Sequence, residues 1–202
     1  MLIRIHPDNP QARQLSMVKD CLENGGIIAY PTDTIYGLGC DIFHPEAIEK
    51  ICAIKKVNPE KANLSFICSD LSDLSLYAKA IDNSLFRILK KALPGPFTFI
   101  LPASKQVPKM LQSKKKTIGL RIPDNNIALS IITTLGHPIL SASFPGEAVE
   151  DYTDPEVIYE HWGNQIDMVV DGGIGGMVPS TVVDCTGETY EVIRQGLGVW
   201  DY

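Results

Sequence analysis

No apolar run in this sequence approaches the ~18 residues of a membrane-spanning helix. The amino-terminal segment also lacks the basic-then-apolar layout of a signal peptide. Both absences lead us to expect a cytoplasmic protein with no membrane partner. Repeats, low-complexity stretches and long linkers rich in Ser, Gly or Pro are missing as well. Without a linker to divide them, 202 residues are typical of one domain, so we predict a single domain over residues 1–202.

Cysteine and histidine are few and widely scattered. The five cysteines include no Cys-x-x-Cys pair, and the four histidines include no His-x-x-x-His spacing. An odd, dispersed set of cysteines does not suit a disulfide framework, and neither residue type shows the spacing of a zinc site. We therefore predict reduced, mostly buried thiols and no structural metal.

Four motifs that often carry catalysis are also absent. They are the phosphate-binding G-x-x-x-x-G-K-[ST] loop, the dinucleotide-binding G-x-G-x-x-G turn, the metalloprotease H-E-x-x-H and the hydrolase G-x-S-x-G. Their absence argues against the corresponding enzyme classes. The composition, 45% hydrophobic and 21% charged, is that of an ordinary folded protein, which excludes a disordered or fibrous chain.

Charge is distributed unevenly along the chain, whose formal net charge is −6. Residues 50–121 contain 14 of the 18 basic residues and 4 of the 24 acidic ones, a local net charge of +10, whereas residues 122–202 have a net charge of −12. Two dense lysine groups lie in the basic segment: Lys55, Lys56 and Lys61, and Lys105, Lys109, Lys114, Lys115 and Lys116. If the fold brings these lysines to one rim, they could hold the phosphate backbone of a nucleic acid. The alternative is that they lie on separate helix faces and are simply solvated.

Short apolar runs alternate with amphipathic stretches, which predicts strands alternating with helices. Strands are predicted at residues 2–5, 27–30, 64–68, 97–101, 117–122, 138–143, 167–171, 181–184 and 190–194. Helices are predicted at residues 11–24, 45–56, 70–79 and 83–93, from a cap at Asp124 to Gly136, and from 154–155 onward. The alternation predicts an α/β fold with a twisted sheet of mixed parallel and antiparallel strands, flanked by helices.

The segment Pro-Thr-Asp-Thr-Ile-Tyr-Gly-Leu-Gly-Cys, residues 31–40, directly follows a predicted strand. It holds three hydroxyls, one carboxylate and two glycines at the carboxyl end of that strand, where open α/β sheets bind ligands. Gly37 and Gly39 would let the backbone adopt a positive φ or approach a ligand closely. A polar turn without a ligand is the alternative interpretation.

This decapeptide resembles the signature of the YrdC/YciO family, whose best-known members are L-threonylcarbamoyladenylate synthases. The resemblance extends over roughly residues 10–200 in the same order. The further matching blocks are Lys55 with Lys61, and residues 94–101, 117–123, 171–173, 179–184 and 193–196. The resemblance implies one YrdC-like α/β domain whose twisted sheet surrounds a large concave cleft.

The resemblance also implies an activity. In the family, threonine and bicarbonate form N-carboxythreonine, whose carboxylate attacks the α-phosphate of ATP and expels pyrophosphate. The implied cofactor is Mg²⁺ with ATP, and the implied partners are proteins that transfer the product to tRNA. Such a nucleotidyltransferase needs cations and hydroxyl donors around anions, and a guanidinium can clamp a carboxylate or phosphate with two hydrogen bonds.

Carried over by position, the family's sites fall on eight residues. The amino-acid substrate would contact Thr34, Arg121, Ser143 and Ser180, and the nucleotide would contact Lys55, Lys61, Thr117 and Arg194. The resemblance assigns no catalytic residue. For Arg121 the alternative is a salt-bridge residue at a sheet edge, and for Thr117 and Ser180 it is an ordinary strand hydroxyl. The glycine-rich run 172–176 resembles a phosphate cradle but has no following helix, so we predict a flexible turn there.

Two departures separate this sequence from the synthases. The family's Lys-x-Arg is Lys55-Lys56-Val57 here, and its Ser-Ala-Asn is Ser143-Phe144-Pro145, which resembles the YciO branch. Losing a charged donor from a desolvated site typically costs ~2–4 kcal/mol of transition-state stabilisation. Two hypotheses follow: a weak or altered adenylate-forming enzyme, or a module that binds double-stranded RNA or tRNA without full synthase activity.

Overall fold

The computed structural model describes residues 1–58, 64–79, 81–111, 116–146 and 152–201. Its strands are β1 (Leu2–Arg4), β2 (Ile28–Tyr30), β3 (Gly37–Asp41), β4 (Ser65–Ile67), β5 (Phe97–Pro102), β6 (Thr117–Arg121), β7 (Ile139–Ser143), β8 (Met168–Asp171), β9 (Thr181–Asp184) and β10 (Glu191–Arg194). Its α-helices are α1 (Ala12–Glu23), α2 (Pro45–Ile54), α3 (Leu71–Tyr77), α4 (Asn83–Ala92), α5 (Asn126–Leu135) and α6 (Pro155–Trp162). A short 3₁₀ turn spans Lys109–Leu111.

The strands form one sheet in the order β1-β8-β2-β3-β7-β4-β6-β5-β9-β10. Four neighbouring pairs are parallel, namely β1 with β8, β2 with β8, β4 with β6, and β5 with β9. The other five pairs are antiparallel. The sequence-based prediction of an α/β fold with a mixed sheet is therefore confirmed.

The two faces of the sheet are covered unequally. Successive residues of a strand point to opposite faces, so Ala29 joins the core beneath α2, α3, α4 and α6, whereas Ile28 and Tyr30 join the core beneath α1 and α5. The second core reaches only as far across the sheet as Ile67 of β4 and Ile139 of β7. On this face no described helix covers the adjacent strands β6, β5, β9 and β10, which form the floor of a cleft.

The structure corrects the predicted amino-terminal cap of α5 and confirms its predicted end. The sequence predicted Asp124 as the cap of α5, but the cap is Asn125, whose side chain accepts a hydrogen bond from the Ala128 amide at 3.0 Å. Since Asn caps as well as Asp, the error is one of position rather than of kind. Gly136 ends α5 as predicted, with a φ of 89° in the left-handed region.

The main error of the sequence-based assignment concerns β3. The sequence indicated no strand at 37–41, because the two glycines favour a turn or a ligand approach over a sheet. Neither Gly37 nor Gly39 is among the glycines of positive φ. A Cβ at Gly39 would lie 3.0 Å from the Tyr30 ring, and one at Gly37 would lie 3.2 Å from it. These glycines are therefore needed so that the Tyr30 ring can lie across β3.

The described residues bear on two further expectations. No helix among them is long and apolar enough to cross a bilayer. The five cysteines are free thiols, and four of them are buried, as their dispersed pattern predicts.

Candidate ligand-binding cleft

The uncovered face holds a cleft of about 470 Å³, a volume typical of small-molecule sites. Alternate residues of successive strands line it, because every second side chain of a strand points to the same face. The cleft-facing residues include Ser141 and Ser143, Ser65 and Ile67, Thr117, Gly119 and Arg121, Thr98 and Ile100, Ser180 and Val182, and Arg194. Hydroxyls and two guanidinium groups therefore dominate its polar surface.

Arg121 lies on a central strand rather than at a sheet edge. It pairs with Ile67 of β4, and its side chain is 8% exposed. The Arg121 guanidinium Nη2 donates to Thr34 Oγ1 at 2.8 Å and forms an ion pair with Asp33 Oδ1. Thr32 Oγ1 accepts from the Thr34 amide at 3.0 Å, which ties the loop together. The sequence-predicted pair Arg121 and Thr34 is thus in direct contact, and the residue that the sequence missed is Asp33.

This buried ion pair is incompletely satisfied. Among the described residues, Arg121 Nε and Asp33 Oδ2 are buried and have no hydrogen-bond partner. Unpartnered buried polar atoms are uncommon because each loses its water without compensation. The guanidinium is therefore held by one of its nitrogens, while the side chain still lines the cleft.

Arg194 and Ser180 form a second contact at the other side of the cleft. Arg194 Nη2 donates to the Ser180 carbonyl at 2.7 Å and to Ser180 Oγ at 3.2 Å. Ser180 Oγ is also 2.9 Å from Thr98 Oγ1. Burial and then the positive charge of Arg121 lower the pKa of Arg194. The sequence assigned Ser180 to the amino acid and Arg194 to the nucleotide, but the structure brings the two side chains together.

Lys55 lies at the end of α2 and reaches Ser143. Its Nζ donates to the Ser143 carbonyl at 2.7 Å and to Ser143 Oγ at 3.1 Å. The helix ends in a Schellman motif, in which the Lys56 amide donates to Ala53 and the Val57 amide donates to Cys52, both at 3.0 Å. Partial burial lowers the pKa of Lys55.

The other two predicted nucleotide contacts differ in status. Thr117 lines the cleft. Lys61 lies outside the described residues, as do Lys114 and Lys115 of the second lysine group.

The glycine-rich run 172–176 is hydrogen-bonded to the surrounding protein, and its predicted flexibility stays a prediction. Its glycine amides donate within the protein, to Tyr36 Oη, Asp171 Oδ1, Thr153 O and Thr34 O, at 2.7–3.1 Å. A Cβ at Gly176 would lie 2.4 Å from Thr34 O. The run is therefore packed against the loop that follows β2, and its amides are not free to cradle a phosphate.

Sequence reasoning missed five polar residues of this region. They are Thr32, Asp33, Ser65, Thr98 and Ser141. The signal for three of them was available: Ser65, Thr98 and Ser141 are each two residues from another cleft-facing position on the same strand. Side chains of a strand alternate between the two faces of the sheet, so this spacing identifies cleft residues only when the face that carries the cleft is known.

The two departures from the synthase pattern have different surroundings. Val57 is 37% exposed just after α2. Phe144 is buried, with its ring stacked on Tyr152 at 4.9 Å and tilted against Trp162 at 5.7 Å. The Tyr152 hydroxyl donates to the Pro145 carbonyl. The segment Phe144-Pro145 is therefore held in place by an aromatic cluster, whereas the Val57 side chain is partly exposed to solvent.

Comparison with known proteins identifies relatives along almost the whole chain. The Sua5/YciO/YrdC family model, described as "Telomere recombination", matches residues 20–196. An uncharacterised Haemophilus influenzae protein is 47% identical over 197 residues, covering 96% of this chain and 94% of that protein. The Escherichia coli protein YciO is 44% identical with the same coverage. A threonylcarbamoyl-AMP synthase of Coxiella burnetii is 32% identical over 155 residues, covering 77% of this chain and 83% of the synthase.

Two solved structures share the fold. The crystal structure of E. coli YciO matches with a TM-score of 0.92 at 42% identity, covering 98% of this chain and 97% of that one. The P. abyssi Sua5 structure in complex with L-threonine matches with a TM-score of 0.86 at 26% identity, covering 97% of this chain and 57% of that one. The fold of this chain is therefore shared with YciO and Sua5.

Asp33→Asn should destabilise the protein strongly. It removes the counter-charge of a buried guanidinium, and an uncompensated buried charge typically costs about 3–5 kcal/mol. Urea denaturation would measure the free energy of unfolding. Glu23→Gln is the matched control, because it breaks the exposed Lys19–Glu23 pair and should cost less than about 1 kcal/mol. Equal losses in the two variants would contradict the role given to Asp33.

Proposed function

This chain belongs to the Sua5/YciO/YrdC family, and from that premise we propose that its cleft binds an adenine nucleotide, ATP or AMP, together with a small amino acid resembling L-threonine. The observation that carries the proposal is an excess of positive charge among the described residues that line the cleft, which include Arg121 and Arg194 and no acidic side chain. Arg121 has the partner Asp33, but Arg194 donates to the neutral oxygens of Ser180. Burial, and after it the positive charge of Arg121, lower the pKa of Arg194. An anion between them would relieve both effects.

The spacing of the two arginines suits a ligand with more than one anionic group. Arg121 on β6 and Arg194 on β10 are three strands apart, and Arg194 pairs with Val182 of β9. Three strand spacings amount to about 14 Å, which two extended arginine side chains can reduce to a few ångströms. A carboxylate at Arg121 and a phosphate at Arg194 would then be close enough to react.

We assign the two halves of the cleft accordingly. The amino acid binds beside Arg121, Thr34, Ser143 and Ser180, and the nucleotide phosphates bind beside Lys55, Thr117 and Arg194. The relation to Sua5, which was solved with L-threonine, supports the first half. The relation to threonylcarbamoyl-AMP synthases supports the second.

The reaction that suits this arrangement is adenylate formation by a nucleotidyltransferase. The carboxylate on the nitrogen of N-carboxythreonine attacks the α-phosphorus of ATP, and pyrophosphate leaves with the electron pair of the broken P–O bond. Guanidinium and hydroxyl donors neutralise the charge that develops on the phosphoryl oxygens. The adenylate would then pass to tRNA-modifying partner proteins in the cytoplasm.

Val57 and Pro145 should lower the rate of adenylate formation relative to the synthases. Each stands where the synthases have a donor, so the proposed enzyme is weak or has an altered substrate. Losses of ~2–4 kcal/mol in transition-state stabilisation correspond to rates lower by ~30- to 1,000-fold.

Magnesium enters this proposal only as part of the ATP substrate. The described residues include no group of three His, Cys, Asp or Glu side chains that could hold a metal. The carboxylate near the cleft, Asp33, is already paired with Arg121. Mg²⁺ in nucleotide enzymes keeps waters and phosphate oxygens as most of its ligands. No protein ligand is therefore assigned to it.

Arg194→Ala and Lys55→Ala should each weaken ATP and AMP binding about tenfold, the usual cost of one hydrogen bond to a charged group. Calorimetry would measure the affinities. Arg13→Ala and Lys19→Ala, which remove the same charges from α1, are matched controls and should bind as the parent does. Unchanged affinity in both cleft variants would refute the nucleotide half of the site.

Restoring the two missing donors together should raise adenylate formation more than either change alone. Val57→Arg with Pro145→Asn should increase the rate about 30-fold or more, because both donors serve the same anion. Pyrophosphate release with threonine, bicarbonate and ATP would measure it. Asn at 145 keeps the backbone carbonyl that accepts from Tyr152, and thermal unfolding would verify the fold. Gains that merely multiply, or no gain, would contradict the shared role.

Binding of double-stranded RNA or tRNA is a second candidate function, favoured by the placement of lysines. The Ala103 amide donates to the Lys116 carbonyl at 2.8 Å, which brings Lys105 and Lys116 to one end of the β5–β6 pair. Lys55 reaches Ser143, at the corresponding end of β7. These described lysines therefore border the same rim, where a duplex would be read by shape.

An RNA function predicts a salt-dependent affinity for tRNA and for a duplex. Neutralising about four phosphates gives a log–log slope of roughly −3 to −4. Replacing Lys105, Lys109 and Lys116 by Ala should weaken binding and flatten the slope, whereas Lys19→Ala should change neither. A flat salt response in the parent, or an unaltered triple variant, would end this candidate.

A further inference from the structure

Tyr30 is a buried phenol that the proposed reaction does not use. Its side chain has no solvent exposure, and its hydroxyl lies 2.6 Å from Ser141 Oγ. Among the described residues, Ser141 is the hydrogen-bond partner of the Tyr30 hydroxyl. Ser141 in turn lines the cleft. The pair therefore connects the core beneath α1 and α5 to the surface where the ligand is proposed to bind.

The sheet is built to allow this contact. Tyr30 on β2 pairs with Gly37 on β3, and Gly39 on β3 pairs with Ser141 on β7. The Tyr30 hydroxyl must cross β3 to reach Ser141, and it does so over two residues that have no side chain. A Cβ at either glycine would meet the ring at 3.0–3.2 Å. Gly37 and Gly39 thus open a path for one specific hydrogen bond.

The direction of that hydrogen bond follows from what each hydroxyl can reach. Burial raises the pKa of Tyr30 to about 12, so the phenol keeps its proton at neutral pH. A buried phenol hydrogen without an acceptor would be unfavourable, and Ser141 Oγ is the acceptor in contact. If Tyr30 donates, the hydrogen of Ser141 is free to point into the cleft. The reverse direction would leave the phenol hydrogen buried without an acceptor.

We infer that Tyr30 is a positioning residue that fixes the Ser141 hydroxyl as a hydrogen-bond donor to the anionic group bound beside Arg121. This inference rests on the proposed function, because it needs an anion in that half of the cleft. Ser141 pairs with Ser65, which pairs with Gly119, two residues before Arg121 on the same face of β6. Ser141 and the Arg121 strand are therefore two strand-to-strand steps apart, about 10 Å, a distance that the Arg121 side chain and a carboxylate bound to it can span along the face that both residues line.

A double-mutant cycle with L-threonine and AMP as probes tests this role. Ser141→Ala should weaken binding of the anionic probe about tenfold, because it deletes a donor to a charged group. Tyr30→Phe keeps the ring but frees the Ser141 hydroxyl to rotate, and should weaken binding about threefold to tenfold. The double variant should bind no more weakly than Ser141→Ala, because Tyr30 acts only through Ser141.

Tyr77→Phe is the matched control. Tyr77 is another buried tyrosine, packed edge-on against Phe66 beneath the opposite face of the sheet, and its loss of a hydroxyl should leave the affinity unchanged. Thermal unfolding of all variants separates a loss of binding from a loss of fold. A folded Tyr30→Phe with parental affinity, or an equal Tyr30→Phe effect with and without the Ser141 hydroxyl, would overturn the inference.

A second readout needs no variant. A crystal of the parent soaked with L-threonine and AMP should show an anionic oxygen within hydrogen-bond distance of Ser141 Oγ. If the ligand binds the cleft but leaves Ser141 to water, the positioning role is refuted while the proposed function stands. If the parent binds neither probe in solution or in the crystal, the proposed function fails, and the role of Tyr30 fails with it.

Discussion

The ion pair between Arg121 and Asp33 is the interaction on which the cleft depends. A guanidinium on a central strand, 8% exposed, would be strongly destabilising unless a carboxylate lay beside it. Asp33 supplies that charge from the loop after β2, and Thr34 adds a hydrogen bond from the same loop. The loop is in turn held by the glycine-rich run 172–176, whose amides donate to Thr34 and Tyr36. Arg121 thus links three separate segments at one side of the cleft: its own strand, the loop after β2 and the run 172–176.

The gap in the helical cover leaves the polar side chains of the sheet accessible. The described part of the chain covers this face with α1 and α5 only as far as Ile67 of β4 and Ile139 of β7, and beyond them hydroxyls and guanidinium groups line the cleft. The same alternation that buries Phe66 and Leu120 on the opposite face places Ser65 and Arg121 in the cleft. The sheet itself therefore supplies most of the cleft-lining side chains, and the loop after β2 holds the Arg121 side chain in position.

Patterned elements could be predicted from the sequence, whereas cross-strand contacts could not. The helix α4 was evident because Leu85 and Leu89 recur at helical spacing and both are buried. The strand β3 was missed because Gly37 and Gly39 reveal their reason only when the ring of Tyr30 is seen to lie across them. Asp33 was named only as part of a polar segment, since nothing local indicates that Arg121, 88 positions away, is its partner. The family resemblance located Arg121 and Thr34, but the pairing of Ser180 with Arg194 emerged only from the registers of β9 and β10.

The irregularity in β10 has a consequence for the behaviour of the protein at high concentration. β10 is the last strand at one end of the sheet, and its register shifts between Val192 and Arg194, which leaves Ile193 as an extra, exposed residue. A regular outer strand is a template on which another chain can continue the ladder, and bulges are a common protection against such aggregation. The extra residue also sets Arg194 opposite Val182, where it reaches Ser180. Straightening this strand would therefore expose the sheet to self-association and would at the same time turn Arg194 away from Ser180 and the cleft.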